Sequence, residues 1–221
     1  MQKSVSALIM AAGEGSRFGS KKQFLKIGGR TLIGWSVSIF DRIDEIISVI
    51  IVYPPDMDES EVRSKAEVTE DNIFVKGASR RDASVAQGLK AVNSEYVIIH
   101  DAVRPLCSEE LARRVIEGTL EYGTAIPAVN PVSTTKYYEK GKIRTIDRDR
   151  LYLVQTPQGY RTRDIIEAYS SWKGDTAPDS STVAENAGID VKIIKGEREN
   201  IKITVEEDFK YAKYILEEKK T

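Results

Sequence analysis

The chain has 221 residues and is 41% hydrophobic, enough to bury a full core as one large domain. Its 33 Lys and Arg against 34 Asp and Glu leave a net charge of −1, which excludes a global field that recruits nucleic acid or an anionic membrane and makes any anion site local. A single cysteine, Cys107, and a single histidine, His100, exclude an internal disulfide and a Cys/His zinc cluster, so a metal, if used, is expected to be Mg²⁺ on carboxylates and phosphates. The first apolar run covers about a third of the ~20 residues that a membrane-crossing helix needs and carries no signal-peptide cleavage pattern, so the expected compartment is the cytoplasm.

Along the chain, apolar β-rich runs alternate with segments of helical period. VSALIMA (Val5 to Ala11) reads as a strand that breaks into a glycine turn, and TLIGWSVSIFDRI follows as a helix. IISVIIVY (Ile46 to Tyr53) and NIFVKG (Asn72 to Gly77) are strands, RRDASVAQGLKAV is a helix, and YVIIHD (Tyr96 to Asp101) is a strand. SEELARRVIEGTLEY is a helix with Ser108 as its N-cap, and TAIPAV (Thr124 to Val129) is a strand. Several of these strands are unbroken apolar runs, the mark of a sheet covered on both faces and hence mostly parallel. The expected fold is therefore α/β, Rossmann-like and doubly wound, with ligands at the carboxyl ends of the strands.

One region leaves the alternation. TTKYYEK-GK-IRTID predicts a β-hairpin around Gly141, an arm at about 132–153 on an otherwise single domain spanning 1–221. Its polar faces have little to bury alone, so it is expected to find its surface in a second copy as a homodimer arm, with a solvated edge hairpin as the alternative.

The glycine turn fits neither familiar phosphate cradle. Gly13 and Gly15 are followed by Gly19, one residue late for G-x-G-x-x-G, and no glycine pair has Walker A spacing before a lysine and a hydroxyl. What remains is a loop in which Ala11, Ala12, Gly13 and Gly15 let backbone N–H groups approach an anion, followed by Arg17 and Lys22 to neutralise it. A tight turn with a solvated basic patch is the competing reading, and the cations favour the anion site.

AAGEGSRFG…KKQF resembles the A-A-G-x-G-x-R…K-Q signature of the nucleotidylyltransferases. Further motifs in the same order are similar to those of the 2-C-methyl-D-erythritol 4-phosphate cytidylyltransferase family: GASRRDASV, HDAVRP, PVSTT, TIDR, TPQ and ENIKIT. The chain departs from that pattern in Ala78 for a glycine, Thr134 for an aspartate, Glu199 for an aspartate, and a weak APDSST segment, with Thr134 and APDSST nearer the acceptor side.

The resemblance implies transfer of the CMP moiety of CTP to 2-C-methyl-D-erythritol 4-phosphate, giving 4-diphosphocytidyl-2-C-methyl-D-erythritol and pyrophosphate in the non-mevalonate isoprenoid pathway. Ribitol 5-phosphate as acceptor, or a catalytically silent nucleotide-binding protein, are the alternatives. The implied catalytic residues are Arg17, Lys22 and Lys202, with Asp101 as the Mg²⁺ carboxylate. CTP is assigned to Ala11, Ala12, Gly13, Glu14, Gly15 and Ser16, to the base-reading Gly77, Ala78, Ser79 and Ser84, and to Ala102. The acceptor phosphate is assigned to Arg104, Thr135, Arg148 and Thr156, with Thr135 and Arg148 reaching in from a partner's arm. Because the acceptor phosphate is already ionised at neutral pH, the chemistry needs charge stabilisation and no general base. His100, beside Asp101 on a strand, points to the opposite face and is expected to be structural, and Cys107 is expected to be inert.

Overall fold

The structure is a computed structural model that describes residues 3–13, 15 and 18–218. In chain order the elements are β1 Val5–Met10, β2 Lys26–Ile27, β3 Arg30–Thr31, α1 Leu32–Phe40, β4 Ile46–Tyr53, α2 Glu59–Ala66, β5 Ile73–Lys76, α3 Arg81–Leu89 and β6 Tyr96–Asp101. They continue as α4 Glu109–Tyr122, β7 Thr124–Val129, β8 Thr135–Glu139, β9 Lys142–Ile146, β10 Leu153–Val154, β11 Gln158–Arg161, α5 Thr162–Ser171, α6 Ser180–Asn186, β12 Ile193–Lys195 and α7 Glu206–Glu218.

The central sheet runs β10-β7-β11-β6-β1-β4-β5, with β12 added beside β7. The half built on β1 is parallel, as its continuous apolar runs require: β1 pairs with β4 and β6, and β4 with β5. The other half is mixed, because β11 is inserted antiparallel between β6 and β7 and β10 also runs antiparallel to β7. Sequence reading misses β11 because QGYR buries a glutamine and a glycine instead of an apolar run.

Side chains alternate across β1 and divide the interior into two cores. Val5, Ala7 and Ile9 face α1 and α4, meeting Ile33, Val37, Phe40, Leu111 and Val115. Leu8 and Met10 face α3, α5 and α6, meeting Val85, Leu89, Ile165, Ala168 and Val183. The cap of α4 forms as its sequence predicts: Ser108 Oγ accepts from the Leu111 N–H at 2.9 Å, a contact of a kind that stabilises a helix by about 1 kcal/mol. α7 closes a smaller cluster in which Ala212 and Leu216 join Ile27, Leu32 and Ile203.

The strands β8 and β9 pair antiparallel from Thr135↔Ile146 to Glu139↔Lys142, forming the predicted hairpin. Its turn holds Lys140 at φ 48° and Gly141 at φ 79°, two successive left-handed residues that match the right-handed twist of the flanking strands. The arm exposes Tyr138 (69%) and Ile143 (67%), so its apolar side chains find no core in their own chain. Among the described residues no helix is long and apolar enough to cross a membrane.

Candidate active site

Three chain segments converge at the carboxyl ends of β1, β5 and β6, where an open α/β sheet presents its ligands. The first is the glycine loop after β1. Gln23, 2% exposed, reaches back under it and donates from Nε2 to the carbonyls of Ala11 at 2.8 Å and Gly13 at 3.1 Å. This clamp was not assigned from sequence, although Gln23 stands inside the quoted KKQF. The second segment, after β5, packs directly against the first: a Cβ on Gly77 would stand 2.7 Å from Ala12 Cβ and 2.8 Å from Tyr53 O, so only glycine fits there. The third is the end of β6, which delivers Asp101.

The resulting cleft, about 330 Å³, is lined by the loop residues Ala11, Ala12, Gly13 and Gly15, by Lys22, and by Ala78, Ser79, Ser84, Arg81, Asp101 and Lys202. A second cleft of about 390 Å³ abuts it and shares Arg81, Asp101 and Lys202. Its remaining wall includes Arg104, Gln155, Thr156, Gln158 and Asp179. Asp101 is thus the carboxylate of the shared wall. Lys202 Nζ donates to its Oδ2 at 2.8 Å, Arg81 lies 3.5 Å from Oδ1, and Arg104 Nε lies 3.8 Å from Oδ2. Burial by itself would raise this carboxyl's pKa. Lys202, Arg81 and Arg104 reverse that and hold it well below the usual carboxylate range. Arg81 belongs to the quoted GASRRDASV but received no role from sequence; position alone could not tell which of two adjacent arginines turns inward.

The structure brings most sequence-assigned residues to these clefts, but not all of them. Ala102 lines neither cleft: it is fully buried, its N–H donates to Met10 O at 3.1 Å and its carbonyl accepts from Ser36 Oγ at 3.0 Å, and its neighbour Val103 lines the first cleft. The loop after β5 is held by its own hydrogen bonds. Gly77 N–H donates to Tyr53 O at 2.8 Å and Ala78 N–H to Ser84 Oγ at 2.9 Å, so Ser84 shapes the loop from within. Thr156 lies on the second cleft, but its hydroxyl accepts from the Asp101 N–H at 3.0 Å and meets His100 Nδ1 at 3.2 Å. Arg104 donates to Asn200 O at 2.8 Å. Thr135 and Arg148 line neither cleft of their own chain. Arg148 remains on the arm, its Nη1 donating to Val132 O at 2.6 Å. Glu14, Ser16 and Arg17 lie outside the described residues.

His100 has the structural character that its strand position predicts. It is fully buried, its ring meets Phe40 edge-on at 5.3 Å, and burial pulls its pKa down to about 4, so it is neutral at physiological pH and faces away from the clefts. Cys107 is buried and its pKa is pushed up by burial and by Glu197. We expect its alkylation by iodoacetamide at pH 8 to be negligible in the folded protein and fast in denaturant; rapid labelling of the native chain, followed by mass spectrometry, would contradict the burial.

A family profile described as "IspD: 2-C-methyl-D-erythritol 4-phosphate cytidylyltransferase" matches residues 5–218. The chain is 34% identical to the 2-C-methyl-D-erythritol 4-phosphate cytidylyltransferase of Geobacillus kaustophilus, an alignment covering 95% of this chain and 96% of that protein. It is 36% identical to the bifunctional enzyme IspD/IspF of Dinoroseobacter shibae over 97% of its own length, and spans 54% of that longer relative. Its fold is similar to the crystal structure of 4-diphosphocytidyl-2C-methyl-D-erythritol synthase from Anaerococcus prevotii, with a TM-score of 0.86 and 31% identity over 98% of this chain and 97% of that one. With the profile matched over residues 5–218 and the Geobacillus kaustophilus protein aligned over nearly the whole of both chains, the protein belongs to the 2-C-methyl-D-erythritol 4-phosphate cytidylyltransferase family.

Proposed function

We propose that the chain transfers the CMP moiety of CTP to 2-C-methyl-D-erythritol 4-phosphate, releasing pyrophosphate and forming 4-diphosphocytidyl-2-C-methyl-D-erythritol for isoprenoid synthesis. The observation that carries this reading is the shared wall: two abutting clefts, each with anion-binding groups, meet at Asp101, Lys202 and Arg81. A nucleotide seated in the first cleft places its phosphates beside Lys22 and Lys202, and an acceptor phosphate in the second has Arg104 on its wall. An oxygen of the acceptor phosphate attacks the α-phosphorus in line as the bond to the β-phosphate oxygen breaks, and pyrophosphate leaves with that electron pair. Lys22 and Lys202, with Arg17 assigned from the family motif, neutralise the charge gathering on the equatorial and leaving oxygens. The nucleophile needs no deprotonation, in keeping with a neutral, buried His100 turned from both clefts.

Magnesium suits the donor set in one form only. Among the described residues no three His, Cys, Asp or Glu side chains are grouped to cage a metal, whereas Asp101 offers one firmly ionised carboxylate at the shared wall. That matches an ion held by one carboxylate, substrate phosphates and waters. Asp101 would hold it, and the bound ion would supply charge neutralisation on the phosphates.

The arm supports a homodimer. Thr135 and Arg148 sit away from their own clefts on a hairpin with exposed apolar side chains, as expected of residues that complete a neighbour's acceptor site.

A pyrophosphate-release assay with CTP and a panel of acceptor phosphates tests the reading. Methylerythritol 4-phosphate should be the preferred acceptor. Preference for ribitol 5-phosphate would reassign the second cleft, and no turnover with any acceptor would favour a silent nucleotide-binding protein. The resemblance of the GASRRDASV loop to a cytosine-reading segment further predicts that CTP is used far better than ATP or GTP, with UTP the closer competitor. Equal rates with GTP and CTP would contradict the pyrimidine assignment.

A further inference from the structure

Lys202 reaches Asp101 from a stretch of chain, residues 196–204, that is neither helix nor strand. A long side chain on irregular backbone is well placed only if something else fixes that backbone. Two buried amides do so. The carboxamide of Gln155, 6% exposed, donates from Nε2 to Glu197 O at 2.6 Å and to Asn200 O at 3.3 Å, while its Oε1 accepts from Glu197 N–H at 3.1 Å. It takes up both backbone groups of one residue, as a neighbouring strand would. Fully buried Asn200 donates from Nδ2 to Thr156 O at 2.9 Å, and its own carbonyl accepts from Arg104 at 2.8 Å. Beyond Lys202 the chain is tied once more, by Ile203 N–H donating to Val103 O at 2.9 Å.

These contacts have a common origin. Gln155 and Thr156 are consecutive: the first holds the Lys202 segment, and the second holds the backbone of Asp101 through its hydroxyl. The two partners of the 2.8 Å ion pair are thus referenced to the same short piece of chain between β10 and β11. We infer that Gln155 and Asn200 are positioning residues, which set the Lys202 ammonium at the mouth shared by the two clefts and control turnover through that lysine. The inference rests on the reading of Lys202 as a cation for the reacting phosphates.

The test is a double-mutant cycle. Gln155→Met keeps a straight chain of similar volume without the hydrogen bonds. It is made in the natural chain and in Lys202→Gln, with kcat, the KM for CTP, equilibrium CTP binding and thermal unfolding measured on all four proteins. Because small misplacement of a charge-stabilising group costs up to ~10²-fold, Gln155→Met should lower kcat about tenfold or more with the KM for CTP nearly unchanged. In the Lys202→Gln background the same change should cost less than about twofold in kcat, since the group it places is gone. Loss of the full factor in both backgrounds, or lowered thermal stability with kcat intact, would overturn the positioning role. A Lys202→Gln enzyme as fast as the natural one would instead remove the assignment of Lys202, and the inference with it. Should Gln155→Met not fold, Asn200→Leu, which removes the donor to Thr156 O at similar volume without adding a charge, carries the same cycle with the same expected outcomes.

Discussion

Lys22→Ala should lower turnover by about 10²-fold or more while leaving the fold intact. The side chain is 9% exposed, stands on the wall of the nucleotide cleft, and lies with its Nζ 6.0 Å from the centre of the Phe18 ring. Its backbone belongs to a short 3-10 turn, Lys22–Phe24, whose Gln23 clamps the glycine loop, so the cation and the loop are fixed as one unit. A preorganised charge donor of this kind acts where water is largely excluded, and its removal commonly costs about 3–4 kcal/mol of transition-state stabilisation. The Ala11 and Gly13 contacts come from the neighbouring glutamine and survive the change, so unfolding midpoints should move little. Pyrophosphate release measured under saturating CTP and acceptor reads the effect directly. Near-normal kcat in a folded variant would remove Lys22 from the reacting charges.

Gln23→Leu separates the clamp from the cation. It should loosen the loop and raise the KM for CTP with a smaller change in kcat, because the positive charge of Lys22 remains in the cleft. A kcat as low as that of Lys22→Ala with an unchanged KM would mean that the glutamine serves the reacting phosphates and not the loop.

The sequence was most legible where one physical signal acts alone. Val49 to Tyr53 of IISVIIVY and Tyr96 to Ile99 of YVIIHD are buried on both faces, and these unbroken apolar stretches mark the two strands. Gly141 places the hairpin turn because a two-residue hairpin turn needs a positive φ that glycine adopts freely, whereas the positive φ of Lys140 has no counterpart in its residue type. Legibility failed where burial is polar. β11 presents Gln158, Gly159 and Tyr160 to the interior, Gln155 and Asn200 are buried amides, and Arg81 is turned inward by Asp101; none of these gives a periodic apolar pattern. The same reason explains Ala102. A motif says that HDAVRP lies at the site, but only the packing of Ser36 and Met10 around Ala102 decides that this residue faces the core while Asp101 and Val103 face the cleft.

The arm makes the other large prediction. Arg148 is more than half exposed on a segment that does not meet its own acceptor cleft, so if it serves a neighbour, Arg148→Ala should raise the acceptor KM and lower kcat/KM while CTP binding stays nearly unchanged. A local structural role would not divide the two substrates in this way. If the chain forms the proposed homodimer, the cross-subunit assignment has a sharper consequence. Chains carrying Arg148→Ala have an intact nucleotide loop and a defective arm; chains carrying Lys22→Ala have the reverse. Each homodimer holds two damaged sites, but in a mixed dimer one site combines the intact loop with the intact arm and the other collects both defects. Random exchange makes about half of all dimers mixed, each with one good site of two, so activity should recover toward roughly a quarter of the natural rate under two-fold symmetry. Exchange is verified independently by native mass spectrometry of chains with different tags. If the chains exchange and no activity returns, Arg148 does not complete its neighbour's site, and the hairpin must act within its own chain or only as an interface.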